Sequence, residues 1–160
     1  MAMPKEVAPQ LATLVDAMPR GEHWVHEVKF DGYRMLAYLE NGRVRMLTRN
    51  GNDWTSSFGG IVKEVAGLKA KTAILDGEVV AMTGEGVSSF KALQEALSEG
   101  KTAELHYYAF DLLYLDGEDL RGLPLLARKE ALAALLAKGK RRHVFYSEHF
   151  TGKDESFLQQ

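Results

Sequence analysis

Cysteine is absent from the 160 residues, which excludes disulfide frameworks, thiolate nucleophiles and thiolate metal sites and suits a reducing compartment. No apolar run approaches the roughly 20 residues of a membrane span, and the N-terminus lacks the basic-then-apolar order of a signal peptide. The expectation is a cytoplasmic protein with no membrane partner. Charge of one sign is scarce too. Lysine plus arginine number 20 against 22 acids, for a net charge of -2 and a pI near 6.2. There is no overall basic field of the kind that drives nonspecific nucleic-acid binding, so any such contact has to come from a local patch. What is present is 46% hydrophobic and 26% charged residues, the balance of one globular domain able to bury its own core.

Leu11, Leu14, Val15 and Met18 recur at helical spacing before Pro19-Arg20-Gly21 breaks the pattern, which predicts a short opening helix. Residues 23–47 alternate and are rich in β-favouring types, with turn signals at Asp31-Gly32 and Asn41-Gly42; the second reads as a tight hairpin. Strand regions follow at 72–82 and 104–115, the latter ending in the turn Asp116-Gly117. Between them Phe90, Leu93 and Leu97 mark a helix, with Ser88 or Ser89 as its cap and Gly100 as its stop. Residues 126–137 form an amphipathic helix with Leu132, Leu135 and Leu136 inward. Hairpins mixed with separate helices, rather than strict βαβ alternation, give an α+β fold of antiparallel β-sheets flanked by helices.

The stretch VHEVKFDGYRM places Lys29 among two acids and an arginine. On a strand ending near Phe30, residues two apart share a face, so Glu27 and Lys29 project together. A turn at Asp31-Gly32 would bring Arg34 back toward the lysine, and a neighbouring cation favours the neutral amine that attacks electrophiles. A half-exposed hairpin with solvated charges is the plainer alternative. Three further stretches bear on the choice: an arginine at the turn Thr48-Arg49-Asn50-Gly51, two acids in Asp76-Gly77-Glu78, and aromatics with an acid in Tyr107-Tyr108-Ala109-Phe110-Asp111. Arginines pair with phosphate, an acid binds ribose hydroxyl or Mg²⁺, and an aromatic face stacks a base.

Lys29-Phe30-Asp31-Gly32-Tyr33-Arg34 resembles the K-x-D-G-x-R signature of covalent nucleotidyltransferases, the superfamily of ATP-dependent DNA ligases, RNA ligases and mRNA capping enzymes. Thr48-Arg49-Asn50-Gly51, Asp76-Gly77-Glu78 and Phe110-Asp111-Leu112-Leu113 are similar to its next three motifs, in order. The wording around them, LTRNGNDWT and FDLLYLDGEDLRGLPLLARK above all, is most similar to the ligase domain of the bacterial DNA ligase D group. The resemblance implies a partial nucleotidyltransferase fold and a reaction in which Lys29 takes AMP from ATP, with Mg²⁺ or Mn²⁺, and passes it to the 5′-phosphate of nicked or broken double-stranded DNA. It also implies roles: Glu27 at the adenine amino edge, Arg34 and Arg49 on the ribose and phosphate side, Glu78 at the ribose hydroxyl or metal, Phe110 stacked on adenine with Tyr108 as competitor, and Asp31 supporting the turn.

The family pattern continues with an E-G motif, a K-x-K motif and an OB-fold domain. Glu85-Gly86-Val87 stands before the aromatic motif rather than after it and reads as a turn, and the chain closes at residues 157–160 where the true E-G motif is approached. Residues 1–160 therefore read as the N-terminal part of an adenylation domain, slow in isolation, with an exposed face that invites self-association. Two alternatives stay open: an RNA ligase or capping-type enzyme, and a noncatalytic nucleotide-binding or interaction module. Gly100-Lys101-Thr102 lacks the earlier glycine of a P-loop. The five histidines show no metal-ligand spacing. Residues 138–143 are a basic cluster, read as a solvated face with DNA phosphate as the alternative.

Overall fold

The computed structural model describes residues 1–151; residues 157–160 lie outside that range. The frame is a sheet built from β2 (Tyr33–Glu40), β3 (Arg43–Thr48), β4 (Thr72–Val80), β5 (His106–Leu115) and β6 (Glu118–Asp119), in the order β3-β2-β4-β5-β6. These pairs are antiparallel. One strand departs from the antiparallel expectation: β7 (Val144–Tyr146) joins β5 in parallel, which the intervening helix allows by carrying the chain back across the sheet. The hairpin at Asn41-Gly42 forms as expected. Both residues have positive φ, 50° and 82°, the geometry that a two-residue turn needs to match strand twist.

Alternation sorts β2 and β4 into two faces. One face presents Met35, Ala37, Leu39, Leu75 and Val79 to the helices α1 (Gly59–Ala66), α2 (Phe90–Ser98) and α3 (Leu125–Leu136), which contribute Ile61 and Val65, Leu93, and Leu132, Leu135 and Leu136 to a shared core. Ser89 caps α2 by accepting from the Ala92 N–H at 3.2 Å, and Gly100, at φ 69°, follows its last turn. The opposite face holds a smaller cluster, Leu36, Tyr38, Leu47, Ile74, Leu113 and Tyr114, against which Met3 and Val7 pack.

Two expectations fail here. No helix forms over 11–18. The N-terminal segment instead lies extended on the sheet, its backbone bonded to side chains: the Val7 N–H donates to Tyr38 Oη at 2.8 Å, and the Lys5 and Gln10 carbonyls accept from Arg45 and Arg34. Leu14 is 96% exposed, so the apolar stripe that suggested a helix has nothing to bury against, and so short a helix cannot stand alone. The turn at Asp31-Gly32 is not a hairpin either. β1 (Val25–Glu27) ends before Lys29 and pairs with β8 (His149–Thr151) in a separate two-stranded sheet, not with β2. Gly32 is required for another reason: a Cβ there would stand 2.0 Å from the Val79 carbonyl oxygen, so only glycine lets this loop dock on β4. Helix α1 is an addition that the sequence reading did not anticipate. Glu85-Gly86 does form a turn, closed by Gly86 N–H to Thr83 carbonyl at 2.9 Å. Among the described residues no helix is long and apolar enough to cross a membrane.

Candidate active site

Lys29 sits in the five-residue loop between β1 and β2, and that loop is pinned along its length. On one side β1 is held by β8. The Phe30 ring stacks on Tyr108, centroids 4.4 Å apart and planes 17° from parallel. The Asp31 N–H donates to Ser88 Oγ at 2.9 Å, and the Gly32 N–H donates to the Glu78 carboxylate. Lys29 itself stays exposed, so its amine projects from a fixed backbone.

It projects into an open cleft of about 680 Å³ lined by Glu27, Lys29, Phe30, Arg34, Asp76, Glu78, Phe110, Asp111, Arg121 and Arg128, with residues of the N-terminal segment forming one wall. The volume falls within the range of small-molecule sites. A bulge puts Phe110 there. Asp76 pairs with Asp111 and Gly77 with Ala109, which leaves Phe110 as the extra residue and turns both Phe110 and Asp111 toward the cleft. Tyr108, the competing aromatic, is occupied by Phe30.

Three of the four cleft carboxylates that line this space are held by cations. Arg34 forks onto Asp76 at 2.7 and 2.6 Å, and its guanidinium carbon lies 4.8 Å over the Phe110 ring. Arg128 forks onto Asp111 at 2.8 and 3.1 Å. Lys129, fully buried, donates to Glu27. Glu78 is the exception, with no salt bridge among the described residues. Burial pushes its pKa from 4.5 up to about 7, Arg34 opposing and Asp76 reinforcing the rise. Asp76 is also raised, because burial outweighs the Arg34 fork.

The cleft thus gathers Glu27, Lys29, Arg34, Glu78 and Phe110 from β1, the following loop, β2, β4 and β5. It does not gather Arg49, exposed on the Thr48–Gly51 turn away from the lining, nor Asp31, which braces the loop from outside. Sequence reasoning passed over Arg121, Arg128 and Lys129. The last left a signal: it stands three and seven residues before Leu132 and Leu136, a lysine on the apolar stripe of its helix.

Among the described residues no group of three acids and histidines could hold a metal alone. A single partly buried carboxylate without a cation partner fits a divalent ion carried chiefly by substrate phosphates and water.

A lysine, forked arginines, an aromatic ring and one acid without a cation partner are the kinds of side chain that suit a nucleotide and its phosphates. The chain belongs to the ATP-dependent DNA ligase family: the model of the ATP dependent DNA ligase domain matches residues 5–160. It is 48% identical over 134 residues to the multifunctional non-homologous end joining protein LigD of Pseudomonas aeruginosa, covering 84% of this chain and 16% of that protein. The crystal structure of the ligase domain from M. tuberculosis LigD superposes with a TM-score of 0.65 at 31% identity, covering 79% of this chain and 40% of that one. A mycobacterial DNA ligase D complexed with ATP and MES gives 0.64 at 30%, covering 81% and 41%. This chain therefore spans about a sixth of its LigD relative and two-fifths of the matched ligase structures.

Proposed function

We propose that this chain carries the nucleotidyl-transfer chemistry of DNA strand joining, as part of a DNA ligase adenylation domain. The Lys29 amine attacks the α-phosphorus of ATP, the bond to the β-phosphate oxygen breaks, pyrophosphate leaves, and the lysine, having lost a proton, retains AMP as a phosphoramidate. In the ligase reaction AMP then passes to the 5′-phosphate of nicked or broken DNA, the bond to the lysine nitrogen breaking, and the 3′-hydroxyl attacks that phosphate to form the phosphodiester and release AMP.

The observation that carries this reading is the single cleft in which an exposed lysine on a pinned loop faces Arg34, Glu78, Phe110 and Glu27. Phosphoryl-type transfer is chiefly positioning and charge neutralisation, so these parts suffice without a general-base triad. Glu27 and Phe110 mark the base end. Arg34 already covers one face of Phe110, so a base stacks on the other face or displaces the guanidinium. Arg34 and Glu78 serve the ribose and phosphate side, with Glu78 the group to hold Mg²⁺ or Mn²⁺, which supplies charge neutralisation on the phosphates. Arg49 reaches the phosphates only if the turn that carries it swings inward. The exposed Leu11, Leu14, Val15 and Met18 are the surface through which copies associate at high concentration.

The test is intact-mass measurement after incubation with ATP and Mg²⁺, with Lys29→Ala alongside. One added AMP on the wild type alone is expected, formed slowly. Tight ATP binding with no adduct on either protein would sink covalent chemistry in favour of a binding module.

A further inference from the structure

We infer that Lys129 is a positioning residue that fixes Glu27 beside Phe110, dictates that an acceptor at position 27 turns inward, and thereby sets which purine the cleft accepts; the inference rests on the nucleotide reading above. Lys129 is 0% exposed on the inner side of α3. Its Nζ donates to Glu27 Oε1, to the Phe110 carbonyl at 2.9 Å and to the Ser147 carbonyl at 3.3 Å, with the Tyr146 ring 5.1 Å away. An ammonium has three donors and no acceptor, and all three are used. Whatever side chain stands at position 27 must therefore turn an acceptor toward Lys129.

For Glu27 this fixes one carboxylate oxygen and leaves Oε2 to the cleft, where 31% of the side chain remains exposed. Because the same nitrogen also holds the Phe110 carbonyl, the carboxylate stands beside Phe110. An aromatic residue with a pure acceptor at its flank matches a purine presenting an amino group at that edge, as adenine does. It opposes one presenting a carbonyl oxygen there, as hypoxanthine does, since two acceptors would be left facing each other.

The consequence is specific for Glu27→Gln. A free amide offers either end to a ligand. Beside Lys129 the amide oxygen must take the ammonium, so the NH₂ turns to the cleft and the preferred base changes from amino-bearing to carbonyl-bearing. Without Lys129 the amide regains its freedom.

Binding of AMP and of IMP, measured by isothermal titration on the full 160-residue chain and on Glu27→Gln, Lys129→Met and the double variant, tests this. The wild type should favour AMP by roughly tenfold or more, the worth of one charge-assisted hydrogen bond. Glu27→Gln should reverse the preference, Lys129→Met should shrink it, and the double variant should bring the ratio near one. A Glu27→Gln protein that still favours AMP, or a double variant that keeps the reversed preference, overturns the inference; so does equal loss of affinity for both nucleotides, the mark of a merely structural contact. If Lys129→Met does not fold, the presence or absence of the Glu27→Gln reversal decides. Wild-type protein that binds neither nucleotide overturns the nucleotide reading as well, whereas wild-type binding with unmoved ratios in the variants overturns this inference alone.

Discussion

The two faces of the main sheet are made by alternate residues of the same strands, yet they are organised on different terms. Toward the helices, Met35, Ala37, Leu39, Leu75, Val79, Tyr107 and Ala109 are all 0% exposed. Their one polar group, the Tyr107 hydroxyl, is spent on the backbone, within donating reach of the Met35 and Leu75 carbonyls at 2.9 and 3.3 Å. On the other face Arg34, Asp76, Glu78 and Asp111 occupy positions that a core would give to leucine, and each of the two forks reaches across strands or from α3. Volume determines the first face, whereas the second is divided between the small cluster around Leu36 and Ile74 and these charge pairs. The second is the costlier, since a buried ion pair returns little net stability against an apolar replacement.

Perturbing each face in turn sharpens the contrast. The largest effect is expected at Leu75→Ala on the packed face. It should lose about 2–5 kcal/mol through lost burial and a residual cavity, read by urea unfolding, with nucleotide binding to the remaining folded protein unchanged. Next is Glu78 on the open face. Its folded pKa near 7 exceeds its unfolded 4.5, so its own contribution to folding is full below pH 4.5 and is lost as pH rises through 7, solvent screening of this part-exposed carboxylate reducing the size of the effect. Asp76 shifts in the same direction. Glu78→Gln should flatten this slope and raise the melting temperature at pH 8 more than at pH 5; an equal gain at both would remove burial as the cause. Smaller again is Tyr38→Phe, which takes the acceptor from the Val7 N–H and should cost about 1 kcal/mol, with faster exchange of the Val7 amide. Smallest is Leu14→Ser. At a site 96% exposed it should move stability by no more than about 0.5 kcal/mol while lowering concentration-dependent association in light scattering.

Much of this was legible in the sequence because it is local. Alternation over residues 23–47 covered β2 and β3, the strand regions 72–82 and 104–115 covered β4 and β5, the Asn41-Gly42 pair gave its hairpin, and Ser88 or Ser89 with Gly100 bracketed α2. Other features depended on partners far along the chain. Helix α1 opens with Gly59-Gly60, which suppresses any helical signal, and is held by Ile61 and Val65 in the core and by Glu64, whose carboxylate accepts from the N–H groups of Arg142, His143 and Val144. The 11–18 stripe satisfied helical spacing without a surface to cover. Within the site, Lys29, Arg34, Glu78 and Phe110 were found by motif, and the cleft contains all four. Motif spacing carries no information about which cation holds which acid, so the partners of Lys129 and Arg128 emerged only from the packing of α3 on β5.

The pairing of β1 with β8 has a consequence in time. Val25 meets Thr151, so on a ribosome adding about 5–20 residues per second β1 waits on the order of ten seconds for its partner, long after β2 and β3 can close their hairpin. A growing chain can therefore assemble the antiparallel part of its main sheet and dock the following loop on Ser88 and Tyr108 before β1 is paired, so the Glu27 end of the cleft is fixed among the last events of folding.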